Sequence, residues 1–139
     1  MLRSLIAAAV LLAGAGSAAA ESYICRSLDG EPPTSLDFTI RYSSGAWAVM
    51  SVAFQVEGDV GYSTITGEPT GLAIVTGVEI ASAADVAFRL QAGGQGDRGD
   101  VASIHVVTLS EGETSLTAGV LQVTGGGLWP IQCDIADEG

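Results

Sequence analysis

The chain has only two cysteines, Cys25 and Cys133, and they stand near its two ends. Joined, they would tie the start of any intervening domain to its finish, so an admissible fold must bring those two segments side by side. A disulfide needs Cα atoms about 4.4–6.8 Å apart, and opposed residues on adjacent antiparallel strands stand about 4.5–5.5 Å apart. A fold whose first and last strands are neighbours therefore meets the constraint directly.

Pairing needs an oxidising compartment, and the N-terminus supplies the reason to expect one. Residues 1–20 begin with a cation at Arg3, continue through an apolar run over residues 5–13 and end on Ala18, Ala19 and Ala20. This is the n-region, h-region and small-residue cleavage site of a secretory signal peptide. The apolar run falls short of the roughly 20 residues a membrane-spanning helix needs, and no basic stop-transfer cluster follows it. No membrane insertion is expected after cleavage. The expected product is a single domain over residues 21–139, periplasmic or secreted.

The apolar pattern within that domain has a period of two, as in a half-buried strand. Leu36, Phe38, Ile40 and Tyr42 alternate with polar residues, and Ser43-Ser44-Gly45 reads as a turn. The even positions then stay apolar through Ala46, Ala48, Met50, Val52, Phe54 and Val56, which assigns that set to the core. Leu72, Ile74, Val78 and Ile80 read as one face of a later strand, and Val86, Phe88 and Leu90 as another core face. Residues 80–92 are alanine-rich enough for a helix on propensity, but the spacing of Val86, Phe88 and Leu90 favours a strand. The alternation slips at Val106/Val107 and at Val120/Leu121, each read as a β-bulge. Eight or nine short strands joined by tight turns give an all-β fold. The expectation is a small antiparallel up-and-down β-barrel of about 8 strands with its terminal strands linked by Cys25–Cys133; a β-sandwich with adjacent edge strands satisfies the same constraint.

Charge narrows the partners. The chain carries 5 basic against 16 acidic residues, a formal net charge of −11, and has neither lysine nor asparagine. No basic patch is available to neutralise phosphates, so nucleic acid and anionic membrane surfaces are not expected partners. A Schiff-base lysine and N-glycosylation are excluded outright. His105, the only histidine, lies mid-strand between Ile104 and Val106. No G-x-S-x-G elbow accompanies it, both cysteines are committed to the disulfide, and no carboxylate pair stands out. No enzymatic activity and no cofactor are expected.

The loop Gly93-Gly94-Gln95-Gly96-Asp97-Arg98-Gly99-Asp100 resembles the start of a glycine- and aspartate-rich calcium-binding repeat. Arg98 stands where that repeat has an aspartate, and no tandem copy follows. Asp97 and Asp100 form at most a weak calcium site, and a hairpin loop is the expectation. The Arg98-Gly99-Asp100 tripeptide is too short to carry meaning.

On the strand pattern, Trp47, Val49 and Ala53 fall on the face opposite the assigned core, and Val75 and Val107 are similarly placed. These five residues are the expected contact patch for another protein or for a second copy of the chain. Trp129, beside Pro130, reads as a plug at one barrel end. The aromatic-x-Cys start (Tyr23-Ile24-Cys25) and the ending Trp129-Pro130-Ile131-Gln132-Cys133-Asp134 resemble small, exported, disulfide-closed β proteins of proteobacteria, a general plan shared with periplasmic C-type lysozyme inhibitors. The inhibitors' serine-glycine loop has no clear counterpart, so the resemblance implies class and location and carries over no inhibitory residue. Two functions stand as expectations: a non-enzymatic protein-binding module for a basic periplasmic partner, or a carrier of a small apolar ligand inside the barrel. A weak hydrolase ranks third.

Overall fold

Tight turns make sequence neighbours into spatial neighbours. Ser44 and Gly45 both have positive φ, 55° and 82°, the arrangement of a type I′ turn that matches the right-handed twist of the flanking strands. Gly112 supplies the single positive φ, 63°, of a second two-residue turn. The computed structural model describes residues 19–28, 33–57, 61–65, 71–93, 99–125 and 127–137. Among the described residues, nine strands run in chain order: β1 (Ala19–Ser27), β2 (Thr34–Ser43), β3 (Ala46–Val56), β4 (Gly61–Ser63), β5 (Gly71–Ser82), β6 (Asp85–Ala92), β7 (Asp100–Glu111), β8 (Thr114–Val123) and β9 (Gly127–Asp137). Residues 80–92 are thus the end of β5, a turn and β6, with no helix. The expected signal peptide lies outside the described residues as far as residue 18; β1 begins at Ala19, two residues before the expected start of the mature domain.

The strands close into one barrel in sequence order. β1 pairs antiparallel with both β2 and β9, and Cys25 stands directly opposite Cys133 in the β1–β9 register. Their sulfurs are bonded across a Cα–Cα distance of 3.9 Å, closer than most disulfides. Strand count also fixes a feature of the wall. An all-antiparallel ring needs an even number of strands, so nine strands must include a parallel pair, and this one falls between β4 and β5. The short β4 is the odd strand.

Side chains of all the long strands fill the interior. Tyr23 and Phe38 stack with ring centroids 4.4 Å apart, and Phe88 meets Phe38 edge-on at 5.2 Å. Leu36, Ile40, Leu90, Leu121 and Ile131 surround them at zero exposure. Trp129 is buried opposite Leu121, near the β8–β9 turn. Gly119 sits where β7 presses closest: a Cβ there would run into the His105 carbonyl and the Val106 Cα.

Several faces differ from the sequence reading, and each reversal has a local cause. The β2–β3 register shifts between Thr39 and Ile40, which pair with Ser51 and Val49 and leave Met50 as the extra residue. One inserted residue turns every side chain beyond it to the other face. Trp47 and Val49 therefore pack against the core, while Met50 is 51% exposed and Ala48 points outward. In β5, Ala73 and Val75 face inward and Leu72 and Ile74 outward, until an extra residue between Thr76 and Glu79 restores Ile80 to the core side and leaves Val78 exposed. The slips read at Val106/Val107 and Val120/Leu121 are not bulges, since both ladders run there without a shift. Beyond Val106 the hairpin lines its inner face with hydroxyls, Thr108 with Thr117 at 2.8 Å and Ser110 with Ser115 at 2.9 Å. The apolar residues have moved outside on an unbroken strand.

One inward polar group ties the end of the barrel. The buried Tyr23 hydroxyl donates to the Ala83 carbonyl at 2.7 Å, with Glu21 Oε2 as a second acceptor at 3.1 Å. Burial, reinforced by the charge of Glu21 and the hydrogen bond to it, pushes the phenol pKa well above its ordinary value. Above pH of about 10 the unfolded phenol loses its proton while the folded one keeps it, so stability must fall as pH rises. Urea unfolding at pH of about 9 and about 11 should show that loss in the native protein and a smaller one in Tyr23→Phe. Equal losses in both would remove Tyr23 as the cause.

Candidate functional site

The parallel step leaves a seam. β3 is paired with β2 along its length, but on its other side only Ala53, Phe54 and Gln55 reach β4. Val52 is held by Thr64, whose N–H donates to the Val52 carbonyl at 2.9 Å and whose Oγ1 accepts from the Val52 N–H at 3.0 Å. β5 is paired with β6, and on its other side only Gly71 and Leu72 reach β4. Among the described residues, 46–51 of β3 and 73–82 of β5 have no ladder partner on the seam side. Such an edge presents a row of unpaired N–H and C=O groups to any extended chain. The outward side chains beside it are apolar: Met50 at 51% exposure, with Leu72, Ile74 and Val78 also exposed. Neither stretch carries lysine or proline, which commonly protect edges, and Glu79 is the first charge on either.

A second feature lies on the outer wall across β5 to β8, a cleft of about 820 Å³. Its floor follows from the register. Arg89, Ser103 and Gln122 form one cross-strand row, and Ala87, His105 and Val120 form the next. Its rim is the bulged part of β5, from Gly77 to Ala81. Gly77 has φ of 55°, and a Cβ on it would lie 2.6 Å from Arg89 Nε and Nη2, so the guanidinium rests on bare backbone. Arg89 Nη1 is 3.7 Å from Asp100 Oδ2, and His105 Nε2 is 2.9 Å from Asp85 Oδ1. All four side chains are well exposed, so each pair contributes at most about 1 kcal/mol.

The residues singled out from sequence are dispersed. Cys25 and Cys133 form the interior disulfide. Trp47, Val49 and Val75 turn inward and leave the expected contact patch; Trp47 meets Tyr42 there, with ring centroids 5.2 Å apart. Ala53 stays half-buried in the wall between Asp37 and Ser63, and Val107 stays on the outer side between Asp85 and Ala118. Asp97 lies outside the described residues. Asp100 is engaged by Arg89 and, at 3.5 Å, by Gln91 Nε2, and no cluster of three metal-ligating side chains occurs among the described residues. Sequence reasoning missed both the seam and the cleft. Composition offered one signal for the cleft, because Arg89 and His105 are two of very few cationic or titratable nitrogens in an acidic chain. No known protein family matches this chain, and no curated protein or solved structure is significantly similar to it.

Proposed function

We propose that this is an exported, non-enzymatic binding module that docks a basic protein partner by accepting an extended segment of it at the β3–β5 seam. The two facing stretches of unpaired edge carry the reading, because they offer backbone hydrogen bonds to an added strand and the flanking apolar side chains offer contact area. Charge selects the partner: a net charge of −11 steers cationic proteins toward the domain and repels acidic ones. The interior disulfide is consistent with an oxidising, exported setting. The filled lumen weighs against the alternative of an apolar ligand carried inside, since barrels of this size either pack their own side chains or hold one small ligand.

Replacing Met50 with glutamate tests the seam. The side chain is exposed, so the fold should stand, and the added negative charge would favour a basic partner if charge alone governed binding. Strand addition predicts the opposite, a loss of affinity of about tenfold or more, equivalent to about 1.4 kcal/mol. Photo-crosslinking from position 48 in the exported protein identifies the partner. Amide exchange on the purified complex should then show new protection within residues 46–51. Unchanged exchange there, or unchanged affinity in Met50→Glu, would rule the seam out.

A further inference from the structure

We infer that the outer cleft on β5–β8 is a binding site for a short peptide with a free C-terminal carboxylate and a cationic side chain about three residues before it. The cleft shares the stretch Gly77–Ala81 of β5 with the seam, but its floor and the Arg89 guanidinium belong to β6, β7 and β8 and do not depend on the seam reading.

One end of the cleft is built to grip a carboxylate. The absence of a side chain at Gly77 lets the Arg89 guanidinium lie against β5, with the rest of the side chain exposed to the cleft. A planar guanidinium offers paired donors that match the two oxygens of a carboxylate. Its only ion-pair partner among the described residues, Asp100, is 3.7 Å away in an exposed pair, weak enough to share or yield. Ser103 and Gln122 stand in the same cross-strand row and supply a hydroxyl and an amide beside it.

The other end is acidic. Asp85 stands four residues from Arg89 along β6, about 13 Å at the rise of a strand, and Glu79 pairs with Ala87 between them. Three to four extended residues span that distance at about 3.3–3.6 Å each. Ala87 and Val120 line the middle with apolar surface. The acids, and the charge of the whole chain, disfavour a simple anion. A ligand negative at one end and positive at the other answers both, and the volume lies within the usual range of small-ligand sites.

The test uses the whole exported domain and four probes: acetyl-Lys-Ala-Ala-Ala as free acid and as C-terminal amide, and the corresponding all-alanine pair. Titration followed by the backbone amide shifts of Ser103, His105 and Gln122 should give an acid-to-amide affinity ratio of about tenfold or more. Arg89→Gln should weaken the free acids by a similar factor and leave the amides unchanged. Glu79→Gln should weaken the lysine peptides and spare the alanine ones. Both residues are exposed, and an unchanged melting temperature would show the fold intact. Equal binding of acid and amide, equal loss of both in Arg89→Gln, or no shift at these amides at about 5 mM peptide would each overturn the proposal. None of these readouts involves residues 46–51 of β3, so the seam and the cleft stand or fall separately.

Discussion

Replacing Cys25 and Cys133 together with alanine should lower the unfolding free energy by about 4–5 kcal/mol. The bond closes a loop with a sequence separation of 108, and the chain-entropy model gives that figure for a loop of about this length. Both residues are buried, so the space left by the two sulfurs adds a packing loss. For a domain of this size the change corresponds to roughly 10–25 °C in melting temperature. Calorimetry of the exported domain and the double variant checks it. The position of the bond adds a kinetic expectation. With Cys25 wholly buried, a thiol reductant should act on the native protein only as fast as the β1–β9 edge opens, and immediately once urea unfolds it. Rapid reduction of the native protein, or a melting shift of only a few degrees, would show that the ladder between β1 and β9 holds the barrel without the bond.

Phe38→Ala should cost about 3–5 kcal/mol, as large aromatic truncations in cores do. Phe38 is stacked on Tyr23 from the neighbouring strand and meets Phe88 from the far wall, so its ring bridges β1, β2 and β6 across the lumen. A smaller side chain would leave both partners facing a void that the closed wall cannot collapse to fill. Leu116→Ala is the control: that side chain is half exposed on the outer wall, and truncations there usually stay within about 0.5 kcal/mol. Urea denaturation of both variants measures the contrast. Similar losses in the two would mean that the lumen is not the main source of stability, contrary to the packing described above.

The strands that read correctly in sequence are those whose alternation is uninterrupted from turn to turn. In β2, Leu36, Phe38 and Ile40 face inward as their period requires, and Val86, Phe88 and Leu90 do so in β6. The errors share one origin. A bulge changes which face a residue occupies without changing its type, so β3 remained apolar on alternate residues through Met50 while its backbone shifted register against β2. The apolar run therefore continued on the wrong face. In β7 the converse occurred: from Ala102 onward both of its ladders run without a shift, and the outward Val107 and Leu109 imitated a bulge. Neither case can be separated from the other by one strand's pattern, because the decisive quantity is the pairing of two.

The functional surfaces were less legible still. A free edge is a property of what fails to pair, and β3 gives no sign in its own residues that its pairing on one side stops at Val52. The cleft likewise depends on a bulge in β5 that lifts Gly77 to Ala81 over a floor supplied by three other strands.

By itself, the sequence determined the all-strand composition, the short turns at Ser44-Gly45 and Gly112-Glu113, the acidic shell and the meeting of the chain ends through Cys25 and Cys133. These follow from local backbone preference, charge and a covalent bond, each carried by the residues themselves. Tertiary structure alone decided the ninth strand with its parallel step, the register shifts that send Trp47 inward and Met50 outward, and hence the seam without ladder pairing and the cleft. Those depend on hydrogen-bond partners chosen between distant segments, where displacement by a single residue reverses which side chains meet water.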